Sequence, residues 1–337
     1  MITTNPVDGL LQLSASYYVS RALHAVAELG VADALGDAPQ STADLAESTG
    51  ANAGALDRVL RLLALYGIFE HRDGAIAHTS GSRMLRQDHP QSMRSLVRMF
   101  GLPGLWAAVG ELGLTIRTGE PSANHALPGG IWGYLKENPE ASRIFGEAMT
   151  AKAQGHIAAI VQTYDFSGFD VIADVGGGRG HLIQAILAAT PTASGVLFDQ
   201  PHVIEEAAAV ASDRLTVVGG DFFSGPLPEA NAYILMEVIH DWDDDASRKI
   251  VRGIRRAAPA QARLLLIEAL LPNESAPNWP TTLDIVMLTI GGRQRTLREY
   301  SDLLRQSGFA VTREIDTKSG VSIIEATAID RLQVGDL

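Results

Sequence analysis

A histidine and a run of acids follow directly on an apolar segment in "ILMEVIHDWDDD", residues 234–245. Ile234, Leu235, Met236, Val238 and Ile239 read as a buried strand, and His240, Asp241, Trp242 and three further carboxylates stand at its end. A phenol has a pKa of ~10 like tyrosine and keeps its proton near neutrality, whereas imidazole titrates there and can accept it. A turn that needs only polarity fits these residues as well as an active site does. A second acid, Glu268, lies inside the apolar run "RLLLIEAL" (263–270), where burial without a polar partner is costly.

The stretch "ADVGGGRGHL" (173–182) closes one apolar run and opens a helix. Gly176, Gly178 and Gly180 allow a sharp turn and a close approach of backbone to a ligand. The dinucleotide fingerprint G-x-G-x-x-G is incomplete: its sixth position is His181 counted from Gly176 and Ile183 counted from Gly178. Asp174, just before the loop, repels a pyrophosphate but suits a ligand with an ammonium and a sulfonium, which favours S-adenosylmethionine over NAD or ATP. Asp199 ends the next run, "GVLFD", where a carboxylate can take both ribose hydroxyls. In "GGDFF", Asp221 suits an exocyclic amine and Phe222 an adenine face. An ordinary glycine-rich turn with scattered surface acids is the alternative, and the recurrence at successive strand ends favours the cofactor.

These residues need a scaffold. From about residue 166 the pattern alternates strand and helix, with strands expected at 170–175, 195–199, 215–218, 232–236 and 263–270. Such alternation gives βαβ units and a parallel sheet covered by helices. "FAVTREID" and "GVSIIEATA" read as a closing antiparallel pair with Ser319 and Gly320 in the turn. Upstream, residues 8–35 show helical spacing. "STADLAESTG" has Ser41 as an N-cap, 51–70 forms a second amphipathic helix, and 68–79 forms a hairpin around Asp73-Gly74. Helix, helix and hairpin make a winged-helix pattern. Residues 84–165 read as helices broken at Pro103, Pro121 and Gly129-Gly130, with one long helix over 139–164.

Together "DVGGGRG", "GGDFF", "HDWDD", "IEALLP" and "GGRQRT" resemble, in order and spacing, the S-adenosylmethionine-dependent small-molecule O-methyltransferases of plants and bacteria. The resemblance covers nearly the whole chain. It implies an α/β fold: a Rossmann-like methyltransferase domain over 166–337, an N-terminal all-α/winged-helix dimerisation domain over 1–100, and linker helices over 101–165 that contribute to the substrate pocket. It implies His240 as general base and Glu268 as the acid that holds the imidazole through its other nitrogen. It implies S-adenosylmethionine held by Asp174, Gly176, Gly178, Gly180, Asp199, Asp221, Phe222 and Trp242. Phe145, Met149 and Met287 match positions lining the family's substrate cavity, and core packing explains each of them equally well. Two positions depart from the family pattern: Gln294 stands where many members carry a second glutamate, and Met236 where plant members carry a lysine.

The totals narrow the classes. The 337 residues exceed one small core, no apolar run approaches ~20 residues, and "MITTNPVDGL" lacks the basic and apolar regions of a signal peptide. The cytoplasm is therefore the expected compartment and no membrane association is expected. The absence of cysteine excludes disulfides and thiolate chemistry, and the net charge of −12 argues against a nucleic-acid partner. The expectation is a homodimeric O-methyltransferase acting on a hydroxylated aromatic or polyketide-like small molecule, with no metal required. C- or N-methylation on the same scaffold, with or without a metal, is the first alternative. A winged-helix DNA-binding regulator is the second, disfavoured because its second helix offers only Arg58 and Arg61.

Overall fold

A computed structural model describes residues 5–72, 74–272 and 277–329. The chain forms two compact units, one of Met1–Ala107 with Ile131–Lys152 and one of Ala108–Gly130 with Ala153–Leu337. The segment 101–165 is thus divided between them.

In the first unit the apolar stretch expected as one helix over 8–35 is two, Pro6–Glu28 and Val31–Leu35. The break is Gly30, which adopts φ 68° in the left-handed region open to glycine. Ser41 caps the helix Thr42–Thr49 by accepting from the Asp44 amide at 3.1 Å. The helix Ala53–Leu65 buries Leu56, Leu60 and Leu63 at three- and four-residue steps. Strands β1 (Gln40–Ser41), β2 (Phe69–Arg72) and β3 (Ala75–His78) form an antiparallel sheet in the order β1-β3-β2, completing the winged-helix pattern. Gly74 has φ 77°, and Asp73 of the expected turn lies outside the described residues.

The second unit is built on a seven-stranded sheet: β4 (Val171–Val175), β5 (Ser194–Asp199), β6 (Leu215–Gly219), β7 (Ala232–Met236), β8 (Arg263–Glu268), β9 (Phe309–Asp316) and β10 (Ser322–Ala328). The order is β6-β5-β4-β7-β8-β10-β9, with β4 to β8 parallel and β10 antiparallel to both neighbours. The central parallel strands β4, β5, β7 and β8 are mostly apolar on both faces because both faces are covered, whereas the edge strand β6 exposes Thr216. On one face Val175, Tyr233, Leu235, Leu264 and Leu266 pack with Ile250 and Ile254 of the helix Asp244–Ala257. On the other, Ile172, Leu197, Ile234, Leu265 and Ile267 pack with Ile183 and Ile186 of the helix His181–Ala189. Each fully buried side chain of this kind contributes about 1.5–3 kcal/mol. The sheet therefore holds the carboxyl ends of its strands, and the residues just beyond them, in fixed relation.

Candidate active site

His240 sits in a single 3-10 turn, Ile239–Asp241, just past β7, with 5% of its surface exposed. Glu268 ends the neighbouring β8 and is fully buried. Its Oε2 lies 3.0 Å from His240 Nδ1, and its Oε1 accepts from the amides of Ile239 at 3.0 Å and His240 at 3.3 Å. The buried Gln294 places its amide nitrogen 3.0 Å from the same Nδ1, while its oxygen has no hydrogen-bond partner among the described residues. Asp241 Oδ1 is 3.4 Å from Nε2. Burial works against a charged ring here, but Glu268, Asp241 and Glu237 outweigh it and raise the His240 pKa to about 9. Glu237, at the exit of β7, has φ 54°, a left-handed conformation uncommon outside glycine.

The carbonyl side of the same turn is held by "GGRQRT". The Arg293 amide donates to His240 O at 2.8 Å. A Cβ at Gly292 would clash with that carbonyl, so only glycine fits. Arg295, 1% exposed, donates to Ile239 O at 3.2 Å and Trp242 O at 2.9 Å, and pairs with Asp244 at 2.7 and 2.9 Å. Its guanidinium lies 5.7 Å over the ring of the buried Tyr300.

The glycine loop follows β4. Gly176, Gly178 and Gly180 have φ of 73°, 56° and 75°, and the Cβ direction of Gly178 meets nothing within 4 Å. Asp174 is buried, and its Oδ2 has no hydrogen-bond partner among the described residues. Burial and the charge of Asp199 raise its pKa to about 7. Asp199, at the end of β5, accepts from the Gly178 amide at 2.8 Å and the Gln200 amide at 2.7 Å. Burial raises its pKa, opposed by those two amides. Each carboxylate oxygen keeps a lone pair for a ligand. A buried acid with an open acceptor, a glycine-rich loop and a second acid at the next strand end fit a cofactor carrying an ammonium and a ribose.

Asp221 is exposed and accepts from the Phe223 amide at 2.8 Å and Ser224 Oγ at 2.9 Å, closing its own turn. Phe222, Phe223 and Trp242 form an edge-to-face cluster with centroids 4.8 to 5.9 Å apart. Phe222 packs on the core, and Phe223 is the more exposed ring. Phe145 and Met149 are half-buried in the first unit, Phe145 edge-on to Trp132 at 5.9 Å. Met287 is buried in the second unit on the helix Trp279–Ile290. The structure thus joins His240, Glu268 and Gln294 in one cluster, and the glycines with Asp174 and Asp199 in another. Sequence reasoning missed Arg295, Tyr300 and Phe223. One of two arginines in a polar loop carries no sign of burial, and Phe223 stands beside Phe222, the ring that the sequence pattern suggests.

Comparison with known proteins agrees with this architecture. A family model described as an O-methyltransferase domain matches residues 110–310, and one described as an O-methyltransferase dimerisation domain matches residues 11–88. The chain belongs to this O-methyltransferase family. It is a methyltransferase with the Rossmann-like fold and an N-terminal helical dimerisation domain. It is similar to a phenazine O-methyltransferase of Lysobacter antibioticus, 40% identical over 95% of this chain and 96% of that protein. It is 32% identical to a phenazine-1-carboxylate N-methyltransferase of Pseudomonas aeruginosa over 94% of this chain and 96% of that protein. Among solved structures, an O-methyltransferase from neocarzinostatin biosynthesis, in complex with S-adenosylmethionine and a hydroxy-methyl naphthoic acid, matches with TM-score 0.79 and 33% identity, covering 92% of this chain and 96% of that one. Among the described residues no helix is long and apolar enough to cross a membrane.

Proposed function

We propose that this protein transfers a methyl group from S-adenosylmethionine to a hydroxyl of a flat aromatic or polyketide-like small molecule, with His240 as general base. The observation that carries the reading is the buried imidazole just past β7, its Nδ1 3.0 Å from the fully buried Glu268. Bound S-adenosylmethionine supplies an electrophilic methyl on a cationic sulfonium. Asp174, Asp199, Asp221, the three glycines, Phe222 and Trp242 bind and orient it. The acceptor contacts implied for Phe145, Met149 and Met287 by the family resemblance, and the linker role of residues 101–165, belong to the same proposal. Proximity and alignment supply most of the acceleration.

His240 contributes the proton transfer. With its proton on Nδ1 facing Glu268, Nε2 presents the lone pair that takes the hydroxyl proton as the methyl moves. Gln294 suits this tautomer when its amide is turned oxygen-inward, which gives its unpartnered oxygen the Nδ1 proton to accept. Glu268 then stabilises the imidazolium that forms.

The protein acts as a homodimer. Val7, Leu10, Leu11 and Leu13 on the helix Pro6–Glu28 are 68–73% exposed in the single chain, and the dimerisation-domain match begins at residue 11. A DNA-binding role has no support in the helix Ala53–Leu65, where Arg61 is already paired with Asp57.

Incubation with S-adenosylmethionine and a panel of hydroxylated phenazines, naphthoates and simple phenols tests the reading, with product structure read by mass spectrometry and NMR. An O-methyl product supports it. The similarity to an N-methyltransferase favours a second reading, methylation of a ring nitrogen, which the same spectra distinguish.

A further inference from the structure

Arg295 makes more contacts than an ion pair requires. Its five N–H donors serve Asp244, Ile239 O, Trp242 O and, at 3.4 Å each, Arg293 O and Ser247 Oγ. Two of these acceptors flank His240 in sequence, one residue before it and two after. Glu268 holds the amides of Ile239 and His240 from the opposite side. The turn that carries the imidazole is therefore gripped at its amides by an acid and at its carbonyls by a guanidinium.

A buried arginine is expensive to desolvate, and an apolar residue of similar size often stabilises a fold as well or better. Asp244 balances the charge and accepts from Nε and Nη2, and the same planar group reaches both carbonyls at once. A lysine ammonium is a point charge and cannot match that geometry.

We propose that Arg295 is a positioning residue for the methyl-transfer step, fixing the turn Ile239–Asp241 so that His240 keeps its contact with Glu268 and its direction into the site. This rests on the reading of His240 as the base. It adds a residue outside the acid–imidazole pair, acting through backbone and not through the ring. A misplacement of about 1 Å at a reacting group can cost ~10²-fold in rate. Arg295→Lys is expected to lose kcat on that scale, with KM for the acceptor little changed. S-adenosylhomocysteine affinity should change far less than kcat, because the glycine loop, Asp174 and Asp199 are not touched. The melting temperature should fall, since the guanidinium lies over buried Tyr300, and kcat is therefore compared per folded protein.

Three readouts separate positioning from folding. Nitrogen-15 NMR of labelled histidines should show His240 moving from about 9 toward an ordinary histidine value of ~6.5 in Arg295→Lys, with the other histidines unmoved. Arg295→Ala should regain part of its kcat when millimolar guanidinium is added, and wild type should not gain. Arg295→Gln, which keeps a planar donor without the charge, should fall between the two.

Unchanged kcat and an unchanged His240 titration in Arg295→Lys would overturn the proposal. So would activity lost only in proportion to unfolded protein with no guanidinium rescue. Failure of all three variants to fold would also overturn it, by making Arg295 a requirement of the fold and not of the step. The NMR titration reads the grip on His240 whether or not His240 is the base, so the two readings fail separately.

Discussion

His240 and Glu268 stand at the ends of adjacent parallel strands, 28 residues apart, yet Nδ1 and Oε2 are 3.0 Å apart and the other oxygen of the same carboxylate takes the His240 amide. One acid thus fixes both the ring and the backbone that carries it.

That double role makes Glu268→Gln informative. An amide can still hydrogen-bond but offers no charge, and charged hydrogen bonds exceed neutral ones by about 1 kcal/mol, or roughly fivefold in rate. The expected loss is smaller than that of His240→Ala and of the same kind. Gln294→Glu, which restores the carboxylate common in the family, should leave the rate unchanged or raise it mildly. It should also push the His240 titration upward. Steady-state rates and rate–pH curves of both variants check this.

Asp199 should bind the two ribose hydroxyls by charge-assisted bonds. Asp199→Ala is expected to weaken S-adenosylmethionine binding by ~1.5–3 kcal/mol per lost bond. Calorimetry that shows unaltered affinity would remove Asp199 from the site.

Asp174 predicts proton release on cofactor binding. Burial and the Asp199 charge raise its pKa to about 7, so below that pH the free protein keeps it neutral. An ammonium beside it favours the carboxylate, so binding expels the proton and affinity rises as pH approaches 7 from below. Calorimetry in buffers of different ionisation enthalpy should detect that proton. Asp174→Asn should abolish it.

The exposed leucines of the helix Pro6–Glu28 predict an obligate pair burying more than ~2,000 Å². Light scattering should report a dimer at micromolar concentration, and Leu13→Asp should shift it toward monomer. A monodisperse, active wild-type monomer would refute the pairing.

The central strands were legible in the sequence because β4, β5, β7 and β8 are apolar runs that end at a glycine or an acid, as at Val175-Gly176 and Phe198-Asp199. The break at Gly30 was not, since Leu, Ala and Val keep helical spacing across it and only the left-handed backbone marks the turn. Glu268 could be singled out because an acid interrupts an apolar run. Arg295 could not, because an arginine among Arg293, Gln294 and Thr296 reads as solvated surface until the fold buries it. The short-range pattern reports faces and turns, whereas Arg295 reaches the His240 turn from a segment more than 50 residues away.

The most direct test is rate against pH for wild type and His240→Ala on one phenolic acceptor. A base works only when neutral, and the ring titrates upward of its ordinary value, at about 9 in the free protein. The wild-type rate should therefore climb as pH rises and level off once the ring is neutral. His240→Ala should keep cofactor affinity near wild type and lose ~10²–10⁴-fold in rate near neutral pH. That gap should narrow as pH approaches the acceptor's own pKa of ~10, where the phenolate forms unaided. Curves of the same height and shape for both proteins would contradict the account and reduce His240 to the cap of a strand.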